Sequence, residues 1–288
     1  MDQIRTTMVC SNIQGLTECP PIPEGVTDFE CCNTGIESLP VLPQSLELLY
    51  CENNQLRRLP VLPDSLDYLH CVANNLIVLP TIPEAMNHLN CSENLISRLP
   101  SLPIEISELI CNNNRLWTLP TLPVELNELN CGSNCLTTLP ALPAGMTILD
   151  CSGNDLAELP ALPAGLVSLN CSGNDLTELP ALPESLRNLS CCYNQIRELP
   201  TLPEGLVTLE CSNNGLVRLP HIPMSVTELF CVGNELTSLP DNFPPHLISD
   251  IILEEIEYNK KIRREQVDSL PDSLFGEKHL KNVVLSFL

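Results

Sequence analysis

The chain has 288 residues and a formal net charge of −22. That balance argues against a nucleic-acid or anionic-lipid partner, because both depend on lysine and arginine contacts to phosphates, and it favours a protein partner with a basic surface. No apolar run approaches the roughly 20 residues that a membrane helix needs, and the first ten residues lack the apolar stretch of a signal peptide, so we expect neither membrane insertion nor a cleavable leader.

From Pro21 to Pro240 the sequence repeats every twenty residues. When each copy is numbered from 1 to 20 with proline at 20, apolar residues occupy positions 2, 6, 9, 16 and 19, cysteine position 11 and asparagine position 14. A fixed short period is typical of a solenoid, in which each repeat contacts only its neighbours. We therefore predict a repeat array over residues 1–240, with about eleven repeats of 20 residues, followed by a C-terminal helical cap or tail over 241–288.

Each repeat predicts one short strand and one extended return segment. Apolar positions 9 and 11 alternate with polar positions 8, 10 and 12, which is the period of a strand buried on one face. Strands one repeat apart run in the same direction and so form a parallel sheet. The return segment contains two prolines within four residues, as in Leu119-Pro120-Thr121-Leu122-Pro123, which excludes an α-helix and favours a polyproline-like conformation.

Cysteine and asparagine form two regular columns. Cysteine recurs every twenty residues from Cys31 to Cys231, a ladder of parallel side chains that suits small buried thiols better than disulfides or metal ligands. We therefore expect reduced thiols and a reducing intracellular compartment. The asparagine column begins at Asn54 and is predicted to satisfy backbone groups where the chain turns inward after each strand.

After Pro240 the period breaks and a helical pattern begins. Apolar residues recur at helical spacing, and Pro245 suits a first helical turn; a second helix is predicted at about 272–285. We interpret this tail as a cap over the open end of the array. The segment Lys260-Lys261-Ile262-Arg263-Arg264 has two readings, a nuclear-import patch or the solvated end of a helix.

Large side chains on the predicted strand face define a candidate protein-binding site. Positions 8, 10, 12 and 13 should line the open face of the sheet, where most residues are small or polar. Aromatic anchors dominate interface energetics, although scattered apolar surface residues are also common. The predicted protein-binding residues are Leu48, Tyr50, Tyr68, His70, His88 and Ile110, with Tyr193 and Phe230 as a sparser second group. His70 and His88 have no evident third ligand, so we predict no metal site. The sequence shows no nucleophile–base pairing signature, phosphate loop or glycine-rich nucleotide turn, so we expect no cofactor, no catalytic residue and no enzyme.

The consensus Leu-x-x-Leu-x-Cys-x-x-Asn-x-Leu-x-x-Leu-Pro-x-Leu-Pro resembles the bacterial leucine-rich repeats of the IpaH/YopM effector family over roughly residues 16–240. The resemblance implies an α/β leucine-rich-repeat horseshoe whose parallel sheet forms a concave protein-binding face. It also implies a type III-secreted virulence effector in the host cytoplasm, or in the host nucleus if the basic segment directs import.

One branch of that family carries a C-terminal ubiquitin-ligase domain with a Cys-x-Asp motif. The 48 residues after Pro240 are too few for it, and none of the sixteen cysteines here is followed two residues later by aspartate. We therefore expect a binding scaffold without the ligase domain. The alternative is the recognition arm of such a ligase, either truncated or acting in trans.

Overall fold

The computed structural model describes residues 5–13 and 18–269. Twelve three-residue strands form a single parallel sheet in which the strands lie in sequence order. They are β1 (Thr7–Val9), β2 (Asp28–Glu30), β3 (Leu48–Tyr50), β4 (Tyr68–His70), β5 (His88–Asn90), β6 (Glu108–Ile110), β7 (Glu128–Asn130), β8 (Ile148–Asp150), β9 (Ser168–Asn170), β10 (Asn188–Ser190), β11 (Thr208–Glu210) and β12 (Glu228–Phe230). This arrangement is the predicted leucine-rich-repeat solenoid, with one strand before the first full repeat.

The core is a stack of identical layers. The register between neighbouring strands is twenty residues, so Leu49 lies beside Leu69 and Leu69 beside Leu89. Each of these leucines is at most 1% exposed, and the ladder cysteines from Cys31 to Cys231 are buried to the same extent. Burial of position 11 confirms the inward direction predicted for the cysteine column.

The asparagine column binds neighbouring coils together. Asn74 is buried; its amide nitrogen donates to the carbonyls of Cys51, Cys71 and Val72, and its amide oxygen accepts from the Leu56 N–H at 3.0 Å. Most other coils repeat this set of bonds. One amide can donate and accept at once, so the column satisfies the backbone at the inward turn as the sequence predicts.

Position 13, directly before each asparagine, adopts a left-handed backbone in every repeat. Its φ angle is 53° at Ala73, 54° at Tyr193 and 62° at Gly153. The prediction that this position belongs to the strand face is therefore wrong, since each strand ends at position 10 and position 13 forms the turn beyond it. Glycine and asparagine tolerate this conformation best, and both are frequent there.

The return segments contain no helix or strand in the described part of the chain. Most of them make one tight turn, in which the N–H at position 6 donates to the carbonyl of the proline at position 3, for example Leu66 to Pro63 at 3.1 Å. Two prolines in this segment remove backbone donors, so the coil closes with few bonds and remains narrow.

The C-terminal helix begins later than the sequence predicts. Pro245 starts a 3₁₀ turn over Pro245–Leu247, and α1 then spans Asp250–Ser269. Extended backbone at Ile248 separates the two. Leu247 packs against the core and Ile248 is exposed. Within α1, Ile252 and Ile256 are buried whereas Ile251 is exposed, because only one side of the helix faces the last coil. The predicted helix at about 272–285 lies outside the described residues.

Helix α1 replaces the bonding partners that a further coil would supply. The two carboxylate oxygens of Glu255 accept from the N–H groups of Gly233 and Asn234 at 3.0 and 2.9 Å. In earlier coils the N–H groups at these two repeat positions donate to carbonyls of the next repeat. The amide of Asn259 donates to the carbonyls of Asn234 and Leu236, both at 3.0 Å. These contacts support the capping role.

Candidate protein-binding surface

Three adjacent strands bring four aromatic side chains together on the concave face. Strand register places Tyr50 beside His70 and Tyr68 beside His88. Ring centroids are 5.3 Å apart for Tyr50 and Tyr68, 5.7 Å for Tyr50 and His70, 4.9 Å for Tyr68 and His70, and 5.4 Å for Tyr68 and His88. We call this group the aromatic cluster: Tyr50, Tyr68, His70 and His88.

Hydrogen bonds hold the rings of the cluster in place. The Tyr68 hydroxyl lies 3.0 Å from Nε2 of His70, whose Nδ1 lies 2.8 Å from a carboxylate oxygen of Glu52. Nδ1 of His88 lies 3.0 Å from a carboxylate oxygen of Glu108. A pre-ordered surface loses less conformational entropy on binding than a mobile one.

The cluster is bordered by carboxylates. Burial, reinforced by the negative charges of Asp28 and Glu52, raises the pKa of Tyr50. Burial also raises the pKa of Tyr68, with smaller effects from Tyr50, Glu108 and Glu52. Both phenols therefore remain neutral hydroxyls near pH 7, and the rings present their faces within an acidic surround.

Such an arrangement suits a cationic side chain. Aromatic faces attract lysine or arginine through the ring quadrupole, and nearby carboxylates add Coulomb attraction. Glu108 on β6 pairs in register with Glu128 on the next strand, β7. Burial, with the charge of Glu108 second, raises the pKa of Glu128, so negative charge is concentrated at this edge of the cluster.

The remaining predicted residues are distributed unevenly. Leu48 pairs in register with Tyr68 at the start of the cluster, and Ile110 lies on β6, where Asn90 separates it from His70 along the row. Phe230 lies on the last strand and is 53% exposed. Tyr193 is 67% exposed but sits on the left-handed turn after β10, so the two members of the second group do not share a strand face.

A second apolar surface, which the strand-face reasoning missed, lies on the flank of the array. Ile77, Val78 and Trp117 are each more than half exposed. They occupy positions 17 and 18, outside positions 8, 10, 12 and 13, where the sequence predicts the binding face. The available signal was an unusual run of arginine and apolar residues at these positions in four successive repeats.

Over residues 5–13 and 18–269 no group of three or more histidine, cysteine, aspartate or glutamate side chains could hold a metal ion. No helix in that part of the chain is long and apolar enough to cross a membrane.

Comparison with solved structures relates this geometry to known proteins. YopM from Yersinia enterocolitica is 38% identical and superposes with a TM-score of 0.78 over 81% of this chain. YopM from Yersinia pestis, described as a leucine-rich effector protein, is 30% identical with a TM-score of 0.69, over 84% of this chain and 81% of that one. The chain belongs to the YopM family of leucine-rich-repeat proteins.

This membership confirms the predicted family resemblance and supports a protein-interaction scaffold. The match covers only 52% of the Yersinia enterocolitica YopM, so the chain spans about half of that protein's length. The functional domain of InlJ from Listeria monocytogenes, described as including a cysteine ladder, shares the fold at 23% identity and a TM-score of 0.53. Neither a scan against protein-family models nor a search of curated proteins found a match.

Proposed function

We propose that this protein is a non-enzymatic effector that binds a host protein through the aromatic cluster on its concave face. The observation that carries the proposal is the contact of four aromatic rings within an acidic border. Elsewhere the strand face is mostly small or polar, as at Ser168, Asn170 and Asn188, so the cluster is where binding energy would concentrate.

The partner is proposed to present lysine or arginine to the cluster. The border carboxylates Glu52 and Glu108 already pair with His70 and His88, which fixes negative charge at both ends of the ring stack. An incoming cation would meet the ring faces and these carboxylates together. Because part of this attraction is electrostatic, binding should weaken as salt rises.

Secretion into a host cell is proposed on the strength of family membership, with the host cytoplasm as the site of action. The basic segment of α1 is already engaged with its surroundings: Lys260 pairs with Glu257 at 2.8 Å and Arg263 lies 3.6 Å from a carboxylate oxygen of Glu235. These contacts favour the reading of a solvated helix surface over that of an import signal.

The test is capture of host proteins on the immobilised chain, followed by mass spectrometry. Tyr50→Ala with Tyr68→Ala should weaken the main interaction by roughly thirtyfold, because removal of one true aromatic anchor costs about 2 kcal/mol. Its melting temperature should stay within a few degrees of the parent.

The matched control is Ser168→Ala with Asn188→Ala, which changes two polar positions on the same face and should keep the partner. Full retention of the partner by the double tyrosine variant would exclude the aromatic cluster as the binding site.

A further inference from the structure

The flank of the array carries a second surface that differs in character from the concave face. Backbone bonds align positions 15 to 18 of successive coils: the N–H of Asn75 donates to the carbonyl of Leu56 at 2.9 Å, and that of Leu95 to Leu76 at 2.8 Å. We define the arginine flank by its exposed or half-buried side chains, which are Arg57, Arg58, Ile77, Val78, Leu95, Arg98, Arg115 and Trp117.

The centre of the arginine flank is apolar and concave. Arg57, Asn75, Ile77 and Leu95 line an open depression of about 430 Å³. Ile77 is 61% exposed, and Val78 follows it with its side chain also in solvent. Exposed aliphatic side chains that border a depression are typical of a binding surface rather than of a merely solvated one.

An aromatic ring lies two coils further along the same flank. Trp117 is 54% exposed, and the guanidinium carbon of Arg98 lies 5.4 Å from the centre of its ring. Tryptophan and arginine are the residue types most enriched among the residues that dominate interface energetics.

The charge of the arginine flank is opposite to that of the chain. Its four coils carry four arginines and no acidic residue at positions 15 to 18. Further along the flank the same positions carry Asp155, Glu158, Asp175 and Glu178. Over the described residues, the ion pairs of arginine involve Arg218 and Arg263 and none of the four guanidinium groups of the flank.

We propose that the arginine flank binds an acidic segment of a partner protein, with at least one apolar side chain of that segment in the depression beside Ile77. Carboxylates would pair with the surrounding guanidinium groups, which suit planar two-point recognition. A protein segment fits better than a nucleic acid because the basic groups are interleaved with aliphatic ones and the chain as a whole carries −22. A second copy of this chain fits less well because two such copies repel each other.

Trp117 supplies a direct readout, since it is the one tryptophan in the sequence. The probe is a short synthetic peptide of aspartate, glutamate, leucine and phenylalanine, titrated against the full chain while tryptophan emission is recorded. We expect a saturable change in emission. No saturable change up to about 1 mM peptide would overturn the proposal.

Two control ligands distinguish recognition of an acidic and apolar peptide from recognition of negative charge alone. A peptide with serine in place of leucine and phenylalanine should bind about tenfold more weakly, because it keeps the charge and lacks the apolar anchor. Equal binding of the serine peptide, or tighter binding of a single-stranded DNA oligonucleotide, would overturn the apolar–acidic assignment. A concentration-dependent emission change without peptide, together with dimers in sedimentation, would assign the flank to a second copy instead.

Variants at matched positions separate the site from overall charge. Arg57→Glu with Arg98→Glu should weaken peptide binding at least about tenfold. Arg197→Glu with Arg218→Glu changes the net charge equally at the same repeat positions, on two coils nearer the C-terminus and outside the arginine flank, and should leave binding unchanged. Equal losses in both variants would contradict a local site. Tyr50→Ala with Tyr68→Ala should bind the peptide normally, so failure of the concave site would not affect this test.

Discussion

The asparagine ladder can be tested at Asn94, which is 6% exposed. Its amide nitrogen donates to the carbonyls of Cys71, Cys91 and Ser92 at 2.9, 3.1 and 3.0 Å, and its amide oxygen accepts from the Leu76 N–H at 3.0 Å. Asn94→Ala removes all four bonds while leaving the strands and the leucine layers intact.

The loss of stability in Asn94→Ala depends on which hydrogen bonds the partners of Asn94 retain. The carbonyls of Cys71 and Cys91 each keep a donor from a ladder asparagine, and that of Ser92 keeps the backbone N–H of Ala73. The Leu76 N–H has Asn94 as its acceptor and would be left buried without one. A buried donor without an acceptor costs about 1–3 kcal/mol, and loss of one of two donors at each of the three carbonyls adds about 1 kcal/mol. We therefore expect the free energy of unfolding to fall by about 2–4 kcal/mol.

The assay is urea unfolding followed by circular dichroism, with hydrogen exchange at the Leu76 amide as a local readout. Asn112→Ala is the control, because Asn112 lies two residues beyond β6, is partly exposed, and its side chain makes no hydrogen bond within the described residues. The control should change stability by less than about 0.5 kcal/mol. If both variants unfold at the same urea concentration, with the Leu76 amide equally protected, then the ladder does not stabilise the array as argued.

Three further predictions concern the cap, the thiols and the concave carboxylates. Glu255→Ala should lower the melting temperature and speed hydrogen exchange at Gly233, because it removes both acceptors for the last coil; unchanged exchange would argue against capping. With native protein at pH 8, a thiol reagent should label exposed Cys135 first and Cys91 only after unfolding, because Cys91 is buried and burial raises its pKa to about 12; equal labelling rates would contradict this. Glu128→Gln should raise the melting temperature at pH 7, because the raised pKa of Glu128 means that folding disfavours its charge. That gain should vanish as the pH falls below the pKa, and a gain that persists there would refute the electrostatic cause.

The repeat made most of the fold predictable. Leu169 and Cys171 are buried where the period places them, since alternation along a strand decides which face each residue occupies. The length of the strands was harder to predict from the sequence. The left-handed turn at position 13 ends the regular strand pattern, and it accepts Tyr193 as well as glycine and asparagine, so residue type alone did not reveal it.

The cap was predictable in kind but not in its bonds. Helical spacing indicated an apolar face, yet the contacts that matter come from Glu255 and Asn259, polar residues one helical turn apart. Their role depends on the unpaired groups of the preceding coil. The arginine flank was missed for a similar reason, because its side chains lie on four separate repeats and only the stacking brings them together.

Binding of a partner at the aromatic cluster can be tested directly by site-specific photo-cross-linking. A photo-reactive phenylalanine analogue would replace Leu48, which borders the cluster, or Ser168, which occupies the same repeat position on β9. Both proteins would be irradiated with the partner captured by the parent chain. We expect a covalent adduct from position 48 and none from position 168. Adducts formed equally at both positions, or at position 168 alone, would contradict it.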